Sequence, residues 1–385
     1  MKTILILGGY GQTGRLLAHY LLDETDCRLV LAGRHPERGA ALADALNRRA
    51  TTERVTLMAA DAADAAGLAR AFAGVDLVLV ASSTAAQCET VTRAALAAGS
   101  DLLDIQYSAA KVACLRRLAP EIARAGRCVI TDGGFHPGVP AALVRYAAGR
   151  FDRLERANVG SVIAVNWAAL DLGQETKEEF VAEFMDFDSR VYRDGRWQKL
   201  GWRSMVRPQT MDFGPPFGRR ACVAMSLAEM DALPDLIPGL RETGFFVGGF
   251  NWFADWFVSP LVVVGLKIAP NRLRAPLSRL LFWSMSRFAR PPYGTVLQLE
   301  ATGQRDGAPH ALTLRLAHDD GYALTAIPVV AGVRQWLAGP ARPGRWFQAQ
   351  YVAPEPFLRD MARLGVAVTL REGGAAADVQ PVAVL

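Results

Sequence analysis

Short apolar runs alternate with stretches of helical period along the first third of the chain. Parallel strands that are buried on both faces appear in a sequence as continuous apolar runs, whereas amphipathic helices repeat apolar residues every three or four positions. Six runs fit the strand pattern, at 3–7, 27–32, 55–59, 76–81, within 100–107, and at 128–131. Strands that alternate with helices at this spacing predict an α/β fold with a doubly wound parallel sheet.

A glycine cluster follows the first apolar run at once, and a helix-period run follows the cluster. Gly9, Gly11 and Gly14 have G-x-G-x-x-G spacing. In that motif the first glycine allows a tight turn, the second lets the backbone approach a pyrophosphate, and the third lets helix and strand pack closely. The phosphates would rest on the amino terminus of the following helix. The stretch therefore predicts cofactor contacts at Gly9, Tyr10, Gly11, Gln12, Thr13 and Gly14.

The end of the second run indicates which dinucleotide is bound. NAD sites usually have Asp or Glu there, about 20 residues past the glycines, to bind the ribose 2′-hydroxyl. This chain has Arg34, and Arg38 follows one helical turn later. Because a guanidinium suits a 2′-phosphate, we expect NADP(H) rather than NAD(H). The alternative is that Arg34 is a solvated residue at a strand end.

Polar side chains also follow the third and fourth runs. Asp61 is placed either to bond the adenine amino group or to cap the helix that begins near residue 65. Ser82 and Ser83 stand where ligands bind in an open α/β sheet, beyond the carboxyl ends of the strands. Their hydroxyls could contact the cofactor ribose and nicotinamide, and they could also cap the helix predicted over 85–98.

Two side chains near the fifth and sixth runs are candidates for proton transfer. His136 lies in a loop of glycines and prolines after the sixth run, and an imidazole titrates near neutral pH. Tyr107 follows the fifth run and is the second candidate. The structural alternatives are that His136 braces the loop and that Tyr107 stacks on a ring.

The rest of the chain predicts a second domain with antiparallel strands. Asp194-Gly195 and Asp306-Gly307 each lie between strand-like runs, as in β-hairpins. A capping box predicts a helix over 176–187. We expect a cofactor domain at 1–132, with 345–385 packing back on it. An α+β substrate and dimerisation domain at 133–344 would pack on the first and close the cleft over the nicotinamide.

An aromatic-rich segment, 245–293, is predicted to be largely helical. Its run 277–290 is expected to put Arg279, Arg287 and Arg290 on one helical face and Trp283 on another. The longest uncharged run is too short to span a bilayer. The segment is therefore a buried dimer face, the lid of an apolar pocket, or a helix that lies on a membrane surface. The favoured interpretation is a buried face of a homodimer or a lid, and a lid would imply an apolar substrate.

Composition narrows the range of binding partners and cellular locations that we expect for this protein. The 385 residues are 51% hydrophobic with a net charge of +5, but no dense Lys/Arg tract or nucleic-acid module is visible, so we expect no nucleic-acid partner. The five cysteines are scattered without a C-x-x-C pair, which predicts reduced thiols and no metal site. We expect no signal peptide and a cytoplasmic protein, with peripheral membrane contact as the alternative.

Several of these motifs together resemble the saccharopine dehydrogenase family. They are the glycine motif, Gly33-Arg34, Ala98-Gly99 with Leu103-Asp104, 134–138 (Gly-Phe-His-Pro-Gly), Thr325-Ala326, Pro343-Gly344 and 354–358 (Pro-Glu-Pro-Phe-Leu). The resemblance implies a Rossmann domain that binds NADP(H), a second α/β domain, and hydride transfer to or from an imine in the better-known members. The family also includes an enoyl reductase.

One departure from the family pattern bears on the substrate. Many members carry a Gly-Glu pair after the strand of Asp104, where this chain has Tyr107-Ser108. A carboxylate that could bind an amine is therefore missing, which argues against an amino-acid substrate. We expect an NADP(H)-dependent oxidoreductase that acts on a C=N, C=C or C=O group of a small or apolar substrate. The alternatives are a lipid-associated Rossmann protein and a non-catalytic NADP-binding regulator.

Overall fold

The chain folds into two compact units, seen in a computed structural model that describes residues 1–50, 52–170, 173–182, 188–200, 208–373 and 380–384. The first unit comprises Met1–Ala142 and Tyr322–Gly365, and the second comprises Leu143–Gly321 and Val366–Leu385. The chain therefore leaves the first unit after residue 142, returns to it at residue 322, and ends in the second.

A parallel sheet of seven strands forms the centre of the first unit. The strands are β1 (Thr3–Leu7), β2 (Arg28–Gly33), β3 (Val55–Ala59), β4 (Leu77–Val80), β5 (Asp101–Asp104), β6 (Cys128–Thr131) and β15 (Gly344–Phe347). Their order is β15-β6-β5-β4-β1-β2-β3. The order reverses between β1 and β4, and a doubly wound sheet binds its ligand at that reversal. The predicted Rossmann fold class is confirmed.

Helices pack on this sheet because each presents an apolar stripe. They are α1 (Gln12–Glu24), α2 (Ala40–Ala50), α3 (Ala65–Ala71), α4 (Cys88–Ala98), α5 (Ala109–Arg124), α11 (Gly321–Leu337), α12 (Gln348–Tyr351) and α13 (Pro354–Arg363). The helix α6 (Pro140–Ala148) begins in the first unit and belongs mostly to the second. Leu115, Leu118 and Ile122 of α5, at helical spacing, are at most 3% exposed and join the core beneath β4 and β5.

The second unit is built on a mixed sheet of ten strands. The strands are β7 (Arg153–Ala164), β8 (Arg190–Arg193), β9 (Arg196–Lys199), β10 (Gln209–Asp212), β11 (Arg219–Met225), β12 (Glu242–Gly248), β13 (Gly294–Arg305), β14 (Ala308–His318), β16 (Ala367–Gly373) and β17 (Gln380–Val384). All pairs are antiparallel except β12 with β7. The expected α+β domain is confirmed, with a mixed rather than purely antiparallel sheet.

Both predicted hairpins are present in the second unit. Asp194 and Gly195 connect β8 to β9, and Asp306 and Gly307 connect β13 to β14. All four residues have positive φ, between 51° and 80°. Two-residue Asp-Gly loops favour this conformation because it matches the twist of the flanking strands.

The helices of the second unit differ from the predicted ones in two places. They are α7 (Gln174–Ala182), α8 (Leu233–Leu236), α9 (Ser259–Ile268) and α10 (Pro270–Phe288). The helix predicted over 176–187 is present as α7, and 183–187 lie outside the described residues. The segment 245–293 is not helical at its start, because Phe245 and Phe246 belong to β12, where aromatic side chains pack well between β7 and β11.

Candidate functional site

The loop between β1 and α1, together with the first turn of α1, contains four glycines, and the structural reason for a glycine differs from one position to the next. Gly8 has φ +86°, and its carbonyl oxygen accepts a hydrogen bond from the Gly11 amide at 3.0 Å. A Cβ on Gly14 would lie 2.1 Å from the Gly8 oxygen, and one on Gly9 would lie 3.0 Å from the Leu31 Cα. A Cβ on Gly11 would meet only the Gly8 oxygen, at 3.3 Å. The protein itself therefore excludes a side chain at Gly9 and Gly14, whereas a Cβ at Gly11 would make a single tight contact, with the Gly8 oxygen.

The Gly11 side of the loop is also the amino terminus of α1. Gly11 is the N-cap residue, and the first turn, with Gln12 and Thr13, contains no acidic residue. Free amide groups and the helix dipole favour an anion there. This arrangement fits a dinucleotide pyrophosphate, which needs close backbone approach at the second glycine of the motif.

Substitutions at Gly11 and Gly14 should separate binding from folding. Gly11→Ala leaves the backbone unstrained, so we expect a loss of under about 1 kcal/mol in unfolding free energy, with nucleotide affinity at least about tenfold lower. Gly14→Ala forces the helix away from β1 and should cost about 1–3 kcal/mol. Thermal unfolding and nucleotide titration of both variants check this. Equal nucleotide affinity in Gly11→Ala and the wild type would contradict the assignment.

Arg34 begins the loop after β2 and is exposed. Among the described residues, neither Arg34 nor Arg38 makes an ion pair. The Tyr10 hydroxyl accepts a hydrogen bond from the His35 amide at 2.9 Å, and a Cβ on Gly33 would lie 2.3 Å from that hydroxyl. Tyr10 thus fastens the Arg34 loop to the glycine loop. Two guanidiniums are left available near the position that binds the ribose 2′ group in this fold.

Asp61 follows β3 and is exposed at the same edge of the sheet. One of its carboxylate oxygens accepts a hydrogen bond from the Ala63 amide at 3.0 Å. The hypothesis that Asp61 caps the next helix is wrong, because Asp64 is the N-cap residue of α3. The hypothesis that Asp61 contacts adenine stays a prediction.

Ser82 and Ser83 follow β4, beside the glycine loop. A Cβ on Gly8 would lie 2.9 Å from the Ser82 Cβ, and the Ser82 carbonyl accepts a hydrogen bond from the Gln106 side chain. The expected capping by these hydroxyls is not found: α4 begins at Cys88 after a 3₁₀ turn, and Thr84 before that turn makes no capping bond. Ser83 is exposed.

A buried charged cluster at the ends of β5 and β6 was missed by the sequence analysis. Lys111 is 1% exposed; its ammonium donates to Asp104, to the Gln106 carbonyl and, at 2.7 Å, to Asp132. Burial alone would lower the pKa of Lys111, but the two carboxylates raise it, so the ammonium stays charged. Burial also raises the pKa of Asp132, against the attraction of Lys111.

The loop after β6 is held by this cluster and by backbone geometry. Asp132, Gly134 and Gly138 have positive φ, and a Cβ on Gly138 would lie 2.5 Å from the Gly134 oxygen. The fully buried Gln348 side chain of α12 donates to the carbonyls of Gly134 and Gly138, at 3.2 and 3.3 Å. The loop that carries His136 is therefore fixed on both sides.

His136 is partly buried, with its ring centroid 4.3 Å from that of Phe135. Burial lowers the pKa of His136 to about 4, so the imidazole is neutral at physiological pH. It can bond a substrate as a neutral group, but it is a poor proton donor. Tyr107 is partly buried in the segment after β5. Because β5 pairs directly with β6, both candidates follow neighbouring strands at one edge of the sheet.

The lowered pKa of His136 predicts a loss of stability in acid. Between pH 6.5 and about 4 the unfolded chain binds a proton at His136 that the folded chain does not. The free energy of unfolding therefore decreases as the pH is lowered through this window, by up to about 3 kcal/mol. Denaturant unfolding of the wild type and His136→Gln from pH 7 to 4 measures it, and the variant should lack this component. Identical pH dependence in the two proteins would contradict the shift.

Comparison with known proteins agrees with this geometry. Residues 4–130 match the family described as the saccharopine dehydrogenase NADP binding domain. No curated protein matches the chain significantly by sequence. Saccharopine dehydrogenase (L-Glu forming) from Saccharomyces cerevisiae is structurally similar over 97% of this chain and 100% of its own, with a TM-score of 0.68 and 16% identity.

Weaker structural likenesses extend to other dehydrogenases. A dehydrogenase from Chromobacterium violaceum has a TM-score of 0.46 and 11% identity, and covers 94% of this chain and 93% of its own. A myo-inositol dehydrogenase from Corynebacterium glutamicum has a TM-score of 0.45 and 13% identity, with 94% of each chain covered. The resemblance inferred from the motifs is confirmed for the nucleotide-binding domain and for the fold.

Proposed function

We propose that this chain is an NADP(H)-dependent oxidoreductase. Its first domain matches the saccharopine dehydrogenase NADP binding domain, and its fold is similar to that of saccharopine dehydrogenase over 97% of the chain. The observation that carries the proposal is that the glycine loop at the start of α1 lies beside the loop of Arg34, to which Tyr10 joins it through the His35 amide. Within the part of the chain that the structure describes, the Arg34 guanidinium makes no ion pair. When bound, the cofactor supplies or accepts the hydride.

The cofactor contacts follow from the positions of the strand ends. Gly11, Gln12 and Thr13 would bind the pyrophosphate through backbone amides at the start of α1. Arg34, assisted by Arg38, would bind the 2′-phosphate with forked, permanently charged donors. Contacts to the remaining parts of the dinucleotide are assigned to Asp61, Ser82 and Ser83.

Proton handling is assigned to the two side chains after β5 and β6. The phenolic hydroxyl of Tyr107 is assigned the role of proton donor when the substrate is reduced. The neutral imidazole of His136, with its pKa lowered to about 4, suits a hydrogen bond that orients the substrate. The fixed loop around His136 supports this role, because orientation requires a rigid frame.

The residues after β5 also bear on the substrate class. Ser108 is the N-cap residue of α5 and accepts a hydrogen bond from the Lys111 amide at 3.2 Å. This position thus provides a helix cap and no carboxylate for an amine. We infer that the substrate carries a C=N, C=C or C=O group on a small or apolar framework.

Turnover of NADPH tests the proposal. Purified protein would be incubated with NADPH and a panel of imines, enones and ketones, and NADPH oxidation followed by absorbance. We expect turnover with at least one class, a kcat lowered roughly 100-fold in Tyr107→Phe, and no change in the control Tyr293→Phe. NADPH binding without turnover of any class would favour a regulator. Absence of NADPH binding would overturn the proposal.

A further inference from the structure

The consecutive helices α9 and α10 of the second unit, here called the helical hairpin, have an exposed apolar face. Phe257, Leu261, Val264 and Ile268 follow one another at spacings of four, three and four residues along α9 and the π-helical turn before it. They are 60%, 51%, 53% and 76% exposed, respectively. This spacing puts them on one side of the helix, which is therefore a continuous apolar stripe open to its surroundings.

The opposite side of α9 is already used in the core. Val262 and Leu266 are fully buried against Leu277 and Leu281 of α10. The helix is thus apolar on both sides, although only one side packs within the unit. A helix that is apolar all round is normally covered on every side. The exposed stripe is therefore not explained by the fold of this unit.

Three tryptophans extend the stripe into a larger apolar surface. Trp252, Trp256 and Trp283 are 62%, 57% and 53% exposed. The rings of Trp252 and Phe257 are 6.1 Å apart, and those of Phe253 and Trp283 are 6.2 Å apart. We call Trp252, Trp256, Phe257, Leu261, Val264, Ile268 and Trp283 together the hairpin face. Tryptophan is enriched where proteins meet the headgroup region of a bilayer.

The arginines of α10 do not lie on a separate face. Arg279, Trp283 and Arg287 are each four residues apart and all exposed, so cations flank the tryptophan on one stripe. Trp283 was expected on another face than the arginines, which is wrong, because a spacing of four residues brings side chains to the same side of a helix.

The charge of the chain is concentrated around the hairpin face. Residues 249–293 contain six of the 43 Lys and Arg residues and one of the 38 acids, Asp255. The remainder of the chain is therefore balanced, with 37 of each sign, and the net charge of +5 belongs to this segment. Asp255 is partly buried, and its carboxylate accepts the Phe250 amide at 2.9 Å. The rim is cationic through Lys267, Arg272, Arg279, Arg287 and Arg290, all exposed.

We propose that the hairpin face docks on an anionic lipid bilayer. The tryptophans and the aliphatic stripe would enter the headgroup region, and the cationic rim would contact lipid phosphates, as in interfacial amphipathic helices. A second copy of this chain is a poorer occupant, because a symmetric interface would bring two such cationic rims together. None of the helices in the described part of the chain is long and apolar enough to cross a bilayer.

Vesicle co-sedimentation of the full chain tests the charge component. The vesicles would be phosphatidylcholine alone or an equal mixture with phosphatidylglycerol. We expect binding to the anionic vesicles, much weaker binding to the neutral ones, and a decrease with added salt. Reversing Arg279, Arg287 and Arg290 to Glu should weaken anionic binding by roughly 100-fold.

A matched variant controls for net charge. Reversal of three other exposed arginines, Arg153→Glu, Arg196→Glu and Arg241→Glu, makes the same charge change. These three lie near the start of β12, at the opposite end of that strand from the chain that leads into the hairpin face. This variant should retain most of the binding, because the attraction is local to the rim. Equal losses in the two triple variants would mean that net charge alone drives the interaction and would overturn the docking surface.

The apolar component is tested by replacing the three tryptophans. Trp252→Ser, Trp256→Ser and Trp283→Ser together should abolish sedimentation with anionic vesicles while thermal unfolding changes little, because these side chains are exposed. Two further results would overturn the proposal. One is that the wild type does not bind anionic vesicles. The other is that the wild type without vesicles is a dimer in analytical ultracentrifugation and that the tryptophan substitutions dissociate it, since the face would then join two copies. These readouts need no nucleotide and do not depend on the proposed activity.

Discussion

Replacing Lys111 by Met is expected to destabilise the protein by about 3–5 kcal/mol, because it leaves two buried carboxylates without their cation. Asp104 and Asp132 are 4% and 2% exposed, and both receive hydrogen bonds from the Lys111 ammonium. A typical domain is stable by only about 5–15 kcal/mol, so the loss should be plain in urea denaturation. The His136 loop, which follows Asp132 directly, should become accessible to protease.

Two further variants make the Lys111 prediction specific. Lys111→Met combined with Asp104→Asn and Asp132→Asn removes all three charges and should recover a large part of the lost stability, since no unpaired charge stays buried. Lys267→Met removes an exposed lysine and should change stability by under about 0.5 kcal/mol. An unfolding midpoint for Lys111→Met equal to that of the wild type would refute the role of the cluster.

Replacing Arg34 by Asp is expected to lower NADPH affinity on the order of 10³-fold. The substitution removes charge-assisted hydrogen bonds to the 2′-phosphate and puts a like charge beside it. NADH lacks that phosphate, and Asp can bond the 2′-hydroxyl instead, so its affinity should be unchanged or higher. Calorimetric titration of both nucleotides into both proteins measures the change.

The control for Arg34 is another exposed arginine of the same unit that lies on a helix and not at the end of a strand. Arg48 is exposed on α2, and within the described part of the chain it makes no ion pair. Arg48→Asp should bind NADPH within about twofold of the wild type, because exposed charges beyond a Debye length are screened. A loss in Arg48→Asp as large as that in Arg34→Asp would mean that general charge, and not a 2′-phosphate contact, sets the affinity.

The sequence predicted the nucleotide-binding half well because its elements are defined by local patterns. The runs 3–7, 55–59 and 128–131 coincide with β1, β3 and β6. Continuous apolar runs and G-x-G-x-x-G each reflect a short stretch of backbone, and the parallel alternation then brings the strand ends to one edge. The positions of Arg34, Tyr107 and His136 at that edge followed from this topology alone.

Features that depend on distant contacts were not predicted. Lys111 lies on the buried side of α5 at helical spacing from Leu115 and Leu118, and this was the available sign of a buried cation. Its partners, Asp104 and Asp132, come from two different strands. The strand β15, which extends the sheet beside β6, belongs to the part of the chain that returns to the first unit. A return was expected over 345–385, whereas the first unit takes 322–365 and the second takes 366–385.

The energetic role of each glycine was also beyond the sequence. The motif contains Gly9, Gly11 and Gly14 alike, whereas the protein excludes a side chain at Gly9 and Gly14 and offers only one tight contact to a Cβ at Gly11. The hydroxyl of Tyr10 accepts a hydrogen bond from the His35 amide, which the motif does not indicate, and the contact of Tyr10 with the cofactor stays a prediction. Such differences arise from packing between segments that are separated in the chain.

Calorimetric titration of the wild-type protein with NADPH and with NADH is the most direct test of the central claim, that this is an NADP(H)-binding oxidoreductase. We predict saturable binding of NADPH, roughly 100-fold or more tighter than that of NADH, because a 2′-phosphate would gain charge-assisted bonds from Arg34. Equal affinity for the two nucleotides would contradict the role of Arg34. Absence of binding for both would contradict the account of the glycine loop and of the proposed function.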